Sequence, residues 1–302
     1  MNTLSSGVSY VDLRFLDLPH IIATAVLHGP SGVTLIDPGP ASTLPTLRRE
    51  LSRAGIGVAD VTTVLLTHIH LDHAGATGTL VKENPRIRVH VHSSGAAHMI
   101  DPSKLIASAT RLYGFDMDRL WGEFLPVPDK ALVKLEGGER IEMSGQSLNV
   151  AYTPGHASHH ISYFSAATGV AFVGDTAGVR VIPGGYVLPP TPPPDIDYAL
   201  WHRSLSSIES WHPDTLFLTH FGPHGTPGAV LAELRDHMGL FERVALEALA
   251  LEGDDASKEA FFCDRIELVL RRSLGEEDAR AYETAGRLDL SWLGMARYLR
   301  KR

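Results

Sequence analysis

The stretch Thr67-His68-Ile69-His70-Leu71-Asp72-His73 sets three imidazoles and a carboxylate within six positions, directly after the apolar run Val64-Leu65-Leu66. In an extended chain, residues i and i+2 point to the same side. His68 and His70 can therefore grip one metal ion together. A turn into a helix would send Asp72 and His73 in another direction, toward a second ion close by. Nothing structural asks for so many ligand types on a polar loop after a strand.

Three further segments repeat the arrangement. Leu148-Asn149-Val150-Ala151-Tyr152 reads as a strand and runs into Thr153-Pro154-Gly155-His156. Phe172-Val173-Gly174-Asp175 ends in a carboxylate, and Leu216-Phe217-Leu218-Thr219-His220 ends in an imidazole. In each case an apolar strand runs out and a ligand-type residue follows it. Open sheets collect their sites at the C-terminal ends of strands, so the four segments can converge there. The set contains no cysteine, which points to a catalytic rather than a structural metal site.

Taken in order, His68, His70, Asp72, His73, His156, Asp175 and His220 fill H-x-H-x-D-H followed by a distant His, Asp and His. Leu35-Ile36-Asp37-Pro38-Gly39 adds an early Asp-Gly turn. On these residues the chain resembles the metallo-β-lactamase-fold superfamily of metal-dependent hydrolases, and within it the glyoxalase II-like branch, over roughly residues 15 to 225. The resemblance implies an α+β fold, an αββα sandwich. It implies two divalent transition metals, zinc foremost, with iron and manganese also suited to nitrogen and oxygen ligands. His68, His70 and His156 would hold one; Asp72, His73 and His220 the other; Asp175 would bridge. A metal-bridging hydroxide would then cleave a thioester, ester or lactone, with Asp72 relaying a proton to the leaving group. Beyond Asp175 the chain departs from true glyoxalase II, reading Ala177-Gly178-Val179-Arg180 and then a proline-rich stretch. Basic glutathione-binding residues are not identifiable, so the resemblance does not carry the natural substrate.

Several residues near these segments are candidates for supporting or substrate contacts. By resemblance Asp37 orients a ligand imidazole; as a residue before Pro38-Gly39 it reads equally as a turn former. His160 stands at a spacing where related proteins carry a histidine, and His224 follows His220 closely. Arg180 is either a contact for an anionic substrate group or an ordinary surface residue. Tyr186, with Val187 and Leu188, would give the proline-rich stretch an apolar wall, suited to an acyl or aromatic ester more than to glutathione. His90, His92 and His98 read as ordinary residues.

The chain has 302 residues and a net charge of −8 with histidines neutral. That charge argues against a nucleic-acid partner, and the basic end from Arg297 to Arg302 reads as the solvated last turn of a helix. No apolar run reaches the length of a membrane span. The single cysteine, Cys263, excludes an internal disulfide and suits a reducing compartment. With no secretory leader visible, the expectation is a cytoplasmic enzyme acting on a small molecule, with a homo-oligomer left open.

Alternating strands and helices fill the first half. Strands are expected at His20 to His28, Val33 to Asp37, Val61 to Thr67 and Arg86 to His92, with helices at Leu44 to Ala54 and from Asp72 to about Lys82. Residues 100 to 135 read as a helical insertion burying Leu112, Phe115, Leu120 and Trp121. Further strands are expected at Leu148 to Thr153, His160 to Ser165 and Val170 to Asp175. The stretch Val181 to Asp197 holds six prolines at 183, 189, 190, 192, 193 and 194, which excludes a helix or central strand; it reads as a connector or an active-site wall. From Gly225 on, three helical stripes replace the strands. The expected division is a catalytic domain at 1–224 and a helical subdomain at 225–302.

Two other functions fit the same residues. A sulfur dioxygenase of the same superfamily would use one ferrous ion at His68, His156 and Asp175 to oxidise a persulfide. A non-catalytic metal-binding or sensing protein would keep the ligands without turnover.

Overall fold

In the computed structural model, which describes residues 1–302, thirteen strands form two sheets. The first contains β1 (Asn2–Ser5), β2 (Val8–Asp12), β3 (Ala23–Gly29), β4 (Gly32–Ile36), β5 (Val61–Leu65), β6 (Arg88–His92) and β7 (Leu132–Leu135), paired in that order. It is antiparallel up to β4 and parallel from β4 to β7. Each parallel crossover carries helices, as parallel pairing requires: α1 (Leu44–Arg53) precedes β5, α2 (Leu71–Ala74) and α3 (Thr77–Glu83) precede β6, and α4 (Ser93–Ile100), α5 (Ser103–Tyr113) and α6 (Met117–Leu120) precede β7. The second sheet contains β8 (Arg140–Met143), β9 (Gln146–Tyr152), β10 (Ile161–Ser165), β11 (Val170–Phe172), β12 (Thr215–Leu218) and β13 (Gly222–His224), again in order. Only its β11–β12 pair is parallel, and α7 (Tyr198–Ser210) supplies that crossover.

The sheets pack through residues such as Ala25, Leu27, Leu65, Val150, Tyr163, Phe172 and Phe217, all buried in one cluster drawn from both. The helices cover the outer faces, completing an α+β sandwich. In α1, Leu44, Leu47 and Leu51 are buried, the stripe that i, i+3/i+4 spacing demands. Four helices follow the second sheet: α8 (Pro227–Ala250), α9 (Asp255–Leu274), α10 (Glu276–Gly286) and α11 (Leu288–Leu299). Val230, Leu234, Met238 and Phe241 of α8 are buried in the same large cluster as core residues of the first sheet.

Three expectations are corrected. The helix from Asp72 is interrupted between α2 and α3 because Ala76 N–H donates to Gly39 O at 2.8 Å instead of continuing the helix ladder. Phe115, expected in the core, sits at the tip between α5 and α6 and is fully exposed. The helical end has four helices rather than three: α10 buries little more than Ala279 and Tyr282, too sparse a stripe to read.

Candidate metal centre

All seven ligand-type residues lie just beyond strand ends on one edge of the sandwich. His68 and His70 follow β5, with Asp72 and His73 in α2; His156 lies in the β9–β10 connection; Asp175 follows β11 and His220 follows β12. Three trios bring their donor atoms within 4.8 Å of one another: His68, His70 and His156; His68, His73 and Asp175; and Asp72, His73 and His220.

In the first trio, His70 Nδ1 is 3.0 Å from both His68 Nε2 and His156 Nε2. The far nitrogens say which of these atoms carry lone pairs. A carbonyl only accepts, so His156 Nδ1 carries a proton and donates to Pro190 O at 2.8 Å. Its Nε2 then faces inward unprotonated. His220 is fixed in the same way, Nδ1 donating to Ile21 O at 2.8 Å. His73 Nδ1 donates to Asp37 Oδ2 at 2.8 Å, leaving its Nε2 buried without a hydrogen-bond partner. That nitrogen stands 3.2 Å from Asp175 Oδ1, which is likewise buried and unpartnered.

Asp175 reaches both groups. Oδ1 lies 3.2 Å from His73 Nε2 and 3.7 Å from His220 Nε2, while Oδ2 lies 3.5 Å from His156 Nε2. Asp72 Oδ2 is 3.1 Å from His220 Nε2 and 3.7 Å from His73 Nε2. Lone pairs converging on carboxylate oxygens in a buried space repel unless a cation lies among them. The donor set therefore fits metal ions. The electrostatics favour positive charge at the same place, a proton on His73 included. Burial pulls the His73 pKa down, but Asp175, Asp72 and Asp37 outweigh it and hold the imidazole well above its ordinary range. Burial pushes the Asp175 carboxyl up, yet His73 and His220 prevail and hold it well below the carboxylate range. His68 and His70 are pushed well down, by burial first and then by neighbouring imidazoles.

Asp37 lies beneath the centre and is buried. Its Oδ1 accepts Thr67 N–H at 2.8 Å; its Oδ2 accepts from Thr67 Oγ1 at 2.6 Å, Thr219 Oγ1 at 2.9 Å and His73 Nδ1. Thr67 Oγ1 has one proton, given to Asp37, so it accepts from His68 Nδ1 at 3.1 Å. One carboxylate thus sets the tautomer of His73 directly and of His68 through a hydroxyl. His160 is fully buried; its Nε2 accepts Asp175 N–H at 3.2 Å, and its Nδ1 lies 3.1 Å from both Thr153 Oγ1 and Thr176 Oγ1. It braces the Asp175 backbone. Sequence reading overlooked these threonines, although Thr-His recurs at 67–68 and 219–220.

A cavity of about 480 Å³ opens over the centre, lined at one end by His70, Asp72, His156, Asp175 and His220. Arg180, Tyr186 and His224 do not line it. Arg180 Nη2 pairs with Glu233 Oε2 at 3.1 Å and its Nε donates to Gly185 O at 2.7 Å. Tyr186 is buried and stacks on His237 with ring centroids 3.6 Å apart. His224 lies on β13 with its Nε2 buried and unpartnered. The proline-rich stretch does wall the cavity, but through Pro190 to Asp195. Val187 and Leu188 are in the core instead, because Glu233 Oε1 accepts Val187 N–H at 3.1 Å and draws that part onto α8. The other walls include Phe15, Tyr113 and Trp121, with Arg287 from the helical end.

A family model described as the metallo-beta-lactamase superfamily matches residues 19–220. The metallo-beta-lactamase fold-containing protein ST1585 of Sulfurisphaera tokodaii is 28% identical over 221 residues, 72% of this chain and 78% of that protein. A hydroxyacylglutathione hydrolase from a Synechococcus species is 30% identical over 166 residues, 54% of this chain; the match spans 53%, about half, of that relative's length. Among solved structures, the metallo-beta-lactamase family protein TTHA1429 from Thermus thermophilus superposes with a TM-score of 0.72 at 21% identity, covering 99% of this chain and 95% of its own. The structure of ST1585 gives a TM-score of 0.62 at 24% identity, covering 88% and 97%. These structural likenesses show a shared fold.

Proposed function

Given that the chain belongs to the metallo-β-lactamase superfamily, we propose that it is a binuclear metal-dependent hydrolase of thioester, ester or lactone bonds. The observation that carries this is Asp175, whose two oxygens reach separately toward His73 and His156. His68, His70 and His156 would hold one ion, Asp72, His73 and His220 the other, and Asp175 both. Zinc suits this mixture of nitrogen and oxygen donors; iron and manganese suit it as well. When bound, such ions supply a nucleophilic hydroxide near neutral pH and a Lewis acid for the carbonyl.

The chain's own residues do the rest. Asp37, Ile21 O and Pro190 O hold His73, His220 and His156 in the tautomers that keep Nε2 free. Asp72 lines the cavity and its side chain is 22% exposed. Burial works against its charge, but His73 and His220 bring its pKa down to about 2. Its place on the cavity wall makes it the candidate to relay a proton from water to a leaving group. Phe15, Leu105, Trp121 and Leu290 give the cavity apolar wall area, which suits a small acyl or aromatic group. A hydroxyacylglutathione hydrolase among the relatives supports thioester chemistry. The lone cysteine suits a cytoplasmic setting, and no helix is long and apolar enough to cross a membrane.

The test combines metal analysis with a panel of esters, thioesters and lactones. Two ions per chain and oxygen-independent hydrolysis are expected, with glutathione thioesters poor substrates. An oxygen electrode supplies the opposing result: iron-loaded protein consuming oxygen with glutathione persulfide faster than it hydrolyses any ester would end the hydrolase reading.

A further inference from the structure

Three aromatic rings from separate segments meet on one wall of the cavity. Phe15, beyond β2, stacks on Trp121 with centroids 5.5 Å apart and planes at 19°. Tyr113, the last residue of α5, meets Trp121 edge-on at 5.0 Å and 75°. All three line the cavity that contains Asp72, Asp175 and His220. Aromatic clusters usually just fill a core, and Phe15 and Trp121 are buried. Tyr113 is different. It is only partly buried, and no protein group receives its hydroxyl, whereas the fully buried Tyr163 donates to Leu66 O at 2.8 Å.

Arg287 closes the cluster. Its guanidinium lies 5.8 Å from the Tyr113 ring centroid and is fixed by Asp289 through Nε–Oδ1 at 2.9 Å and Nη2–Oδ2 at 2.6 Å. Arg287 has a φ of 23°, between α10 and α11. A non-glycine residue there is strained and must be held by its surroundings. The helical end thus holds a cation against a ring that lines the same cavity as Asp72, Asp175 and His220. Burial, then the charge of Asp72, push the Tyr113 phenol up, so it stays a donor at any working pH.

We infer that Phe15, Trp121 and Tyr113 form a specificity subsite for an aromatic group of the substrate, the Tyr113 hydroxyl donating to an acceptor on that ring. This rests on the hydrolase reading and narrows it to aryl-bearing esters or thioesters. Saturated groups of equal size would fill the space without the quadrupole contacts that favour ring on ring.

Calorimetric titration of the zinc-loaded protein with phenylacetate, cyclohexylacetate and 4-methoxyphenylacetate tests it. All three present the same carboxylate, so its contribution cancels. Phenylacetate should bind about 2- to 10-fold more tightly than cyclohexylacetate, and the methoxy oxygen should add a further factor of about 2 to 10. Tyr113→Phe should abolish the methoxy gain, with zinc content, Tm and phenylacetate affinity unchanged. Trp121→Leu should abolish the aromatic preference. Equal affinities in the wild-type protein, or a methoxy gain that survives Tyr113→Phe, overturns the subsite. Ester hydrolysis without aryl preference would remove the subsite and keep the hydrolase; ring-selective binding without any hydrolysis would keep the subsite and remove the hydrolase.

Discussion

Replacing Asp37 by asparagine keeps its shape and removes its charge, and the four hydrogen bonds it accepts define the cost. Oδ1 receives Thr67 N–H, and Oδ2 receives Thr67 Oγ1, Thr219 Oγ1 and His73 Nδ1. Asparagine has one carbonyl oxygen and one NH2. With the NH2 toward Thr67 N–H, two donors meet in a buried site. With the NH2 toward His73, the imidazole must move its proton to Nε2, the atom facing Asp175 at 3.2 Å. Either arrangement leaves a buried donor unsatisfied, at about 1–3 kcal/mol. Loss of such a ligand-orienting partner typically weakens metal binding about 10- to 100-fold. The loss should be unequal: His73 contacts Asp37 directly, whereas His68 is reached through Thr67 Oγ1. Competition titration of zinc against a chromophoric chelator should therefore show one ion per chain weakened much more than the other, with a lower Tm for the metal-free protein. An Asp37→Asn protein that binds both ions with wild-type affinity would refute the tautomer argument.

Four other outcomes are expected. Asp175→Ala should lower metal stoichiometry and abolish hydrolysis together, since its two oxygens reach separately toward His73 and His156; two tightly bound ions by mass spectrometry would contradict the bridge. Gly174→Ala should destabilise by about 1–3 kcal/mol in urea unfolding, because φ is +48° and the new Cβ would lie 2.5 Å from Thr67 Oγ1 and 2.7 Å from His160 Nε2; an unchanged midpoint would show that this backbone can shift freely. His90 is held neutral down to about 4, by burial first and then by Arg88. Its folded pKa is thus below the unfolded value of about 6.5, so its contribution is intact above that pH and lost as pH falls toward 4; His90→Gln should flatten that part of the stability profile, and an identical acid slope would contradict it. Glu233→Ala should raise KM more than it lowers metal content, since it frees Arg180 and the backbone at Val187 without touching a ligand-type residue; wild-type kinetics would make the clamp dispensable.

The cluster of ligand-type residues was legible because its requirements are local. A strand end followed by H-x-H-x-D-H fixes donor direction within a few residues, and the stripe Leu44, Leu47, Leu51 states the buried face of α1 as plainly. What depends on distant partners was not legible. The break after α2 arises from Gly39 O, a partner 37 positions before Ala76. Phe115 looks like a core residue by type, but it sits at the turn beyond Gly114, whose φ is +54°, where the chain turns away from the core. Asp37 carried two readings in sequence, and the donors it gathers, from positions 67, 73 and 219, are too distant in the chain to be read there.

Arg180 shows why ligands and substrate contacts differ in this respect. In sequence it resembles an anion contact, standing five residues after Asp175. In the structure its backbone N–H donates to His220 O at 2.5 Å while its side chain is held by Glu233 of α8. It is a strut between the helical end and the segment bearing His220. The helical end reaches the cavity elsewhere too: a Cβ on Gly294 of α11 would collide with Thr191 O, so that helix packs directly on the proline-rich wall. The sheets position the seven ligand-type residues, while the insertion at α5–α6, the prolines and the last four helices shape what sits above them. The match to the Synechococcus relative spans about half of each chain, so the substrate is to be read from the cavity walls.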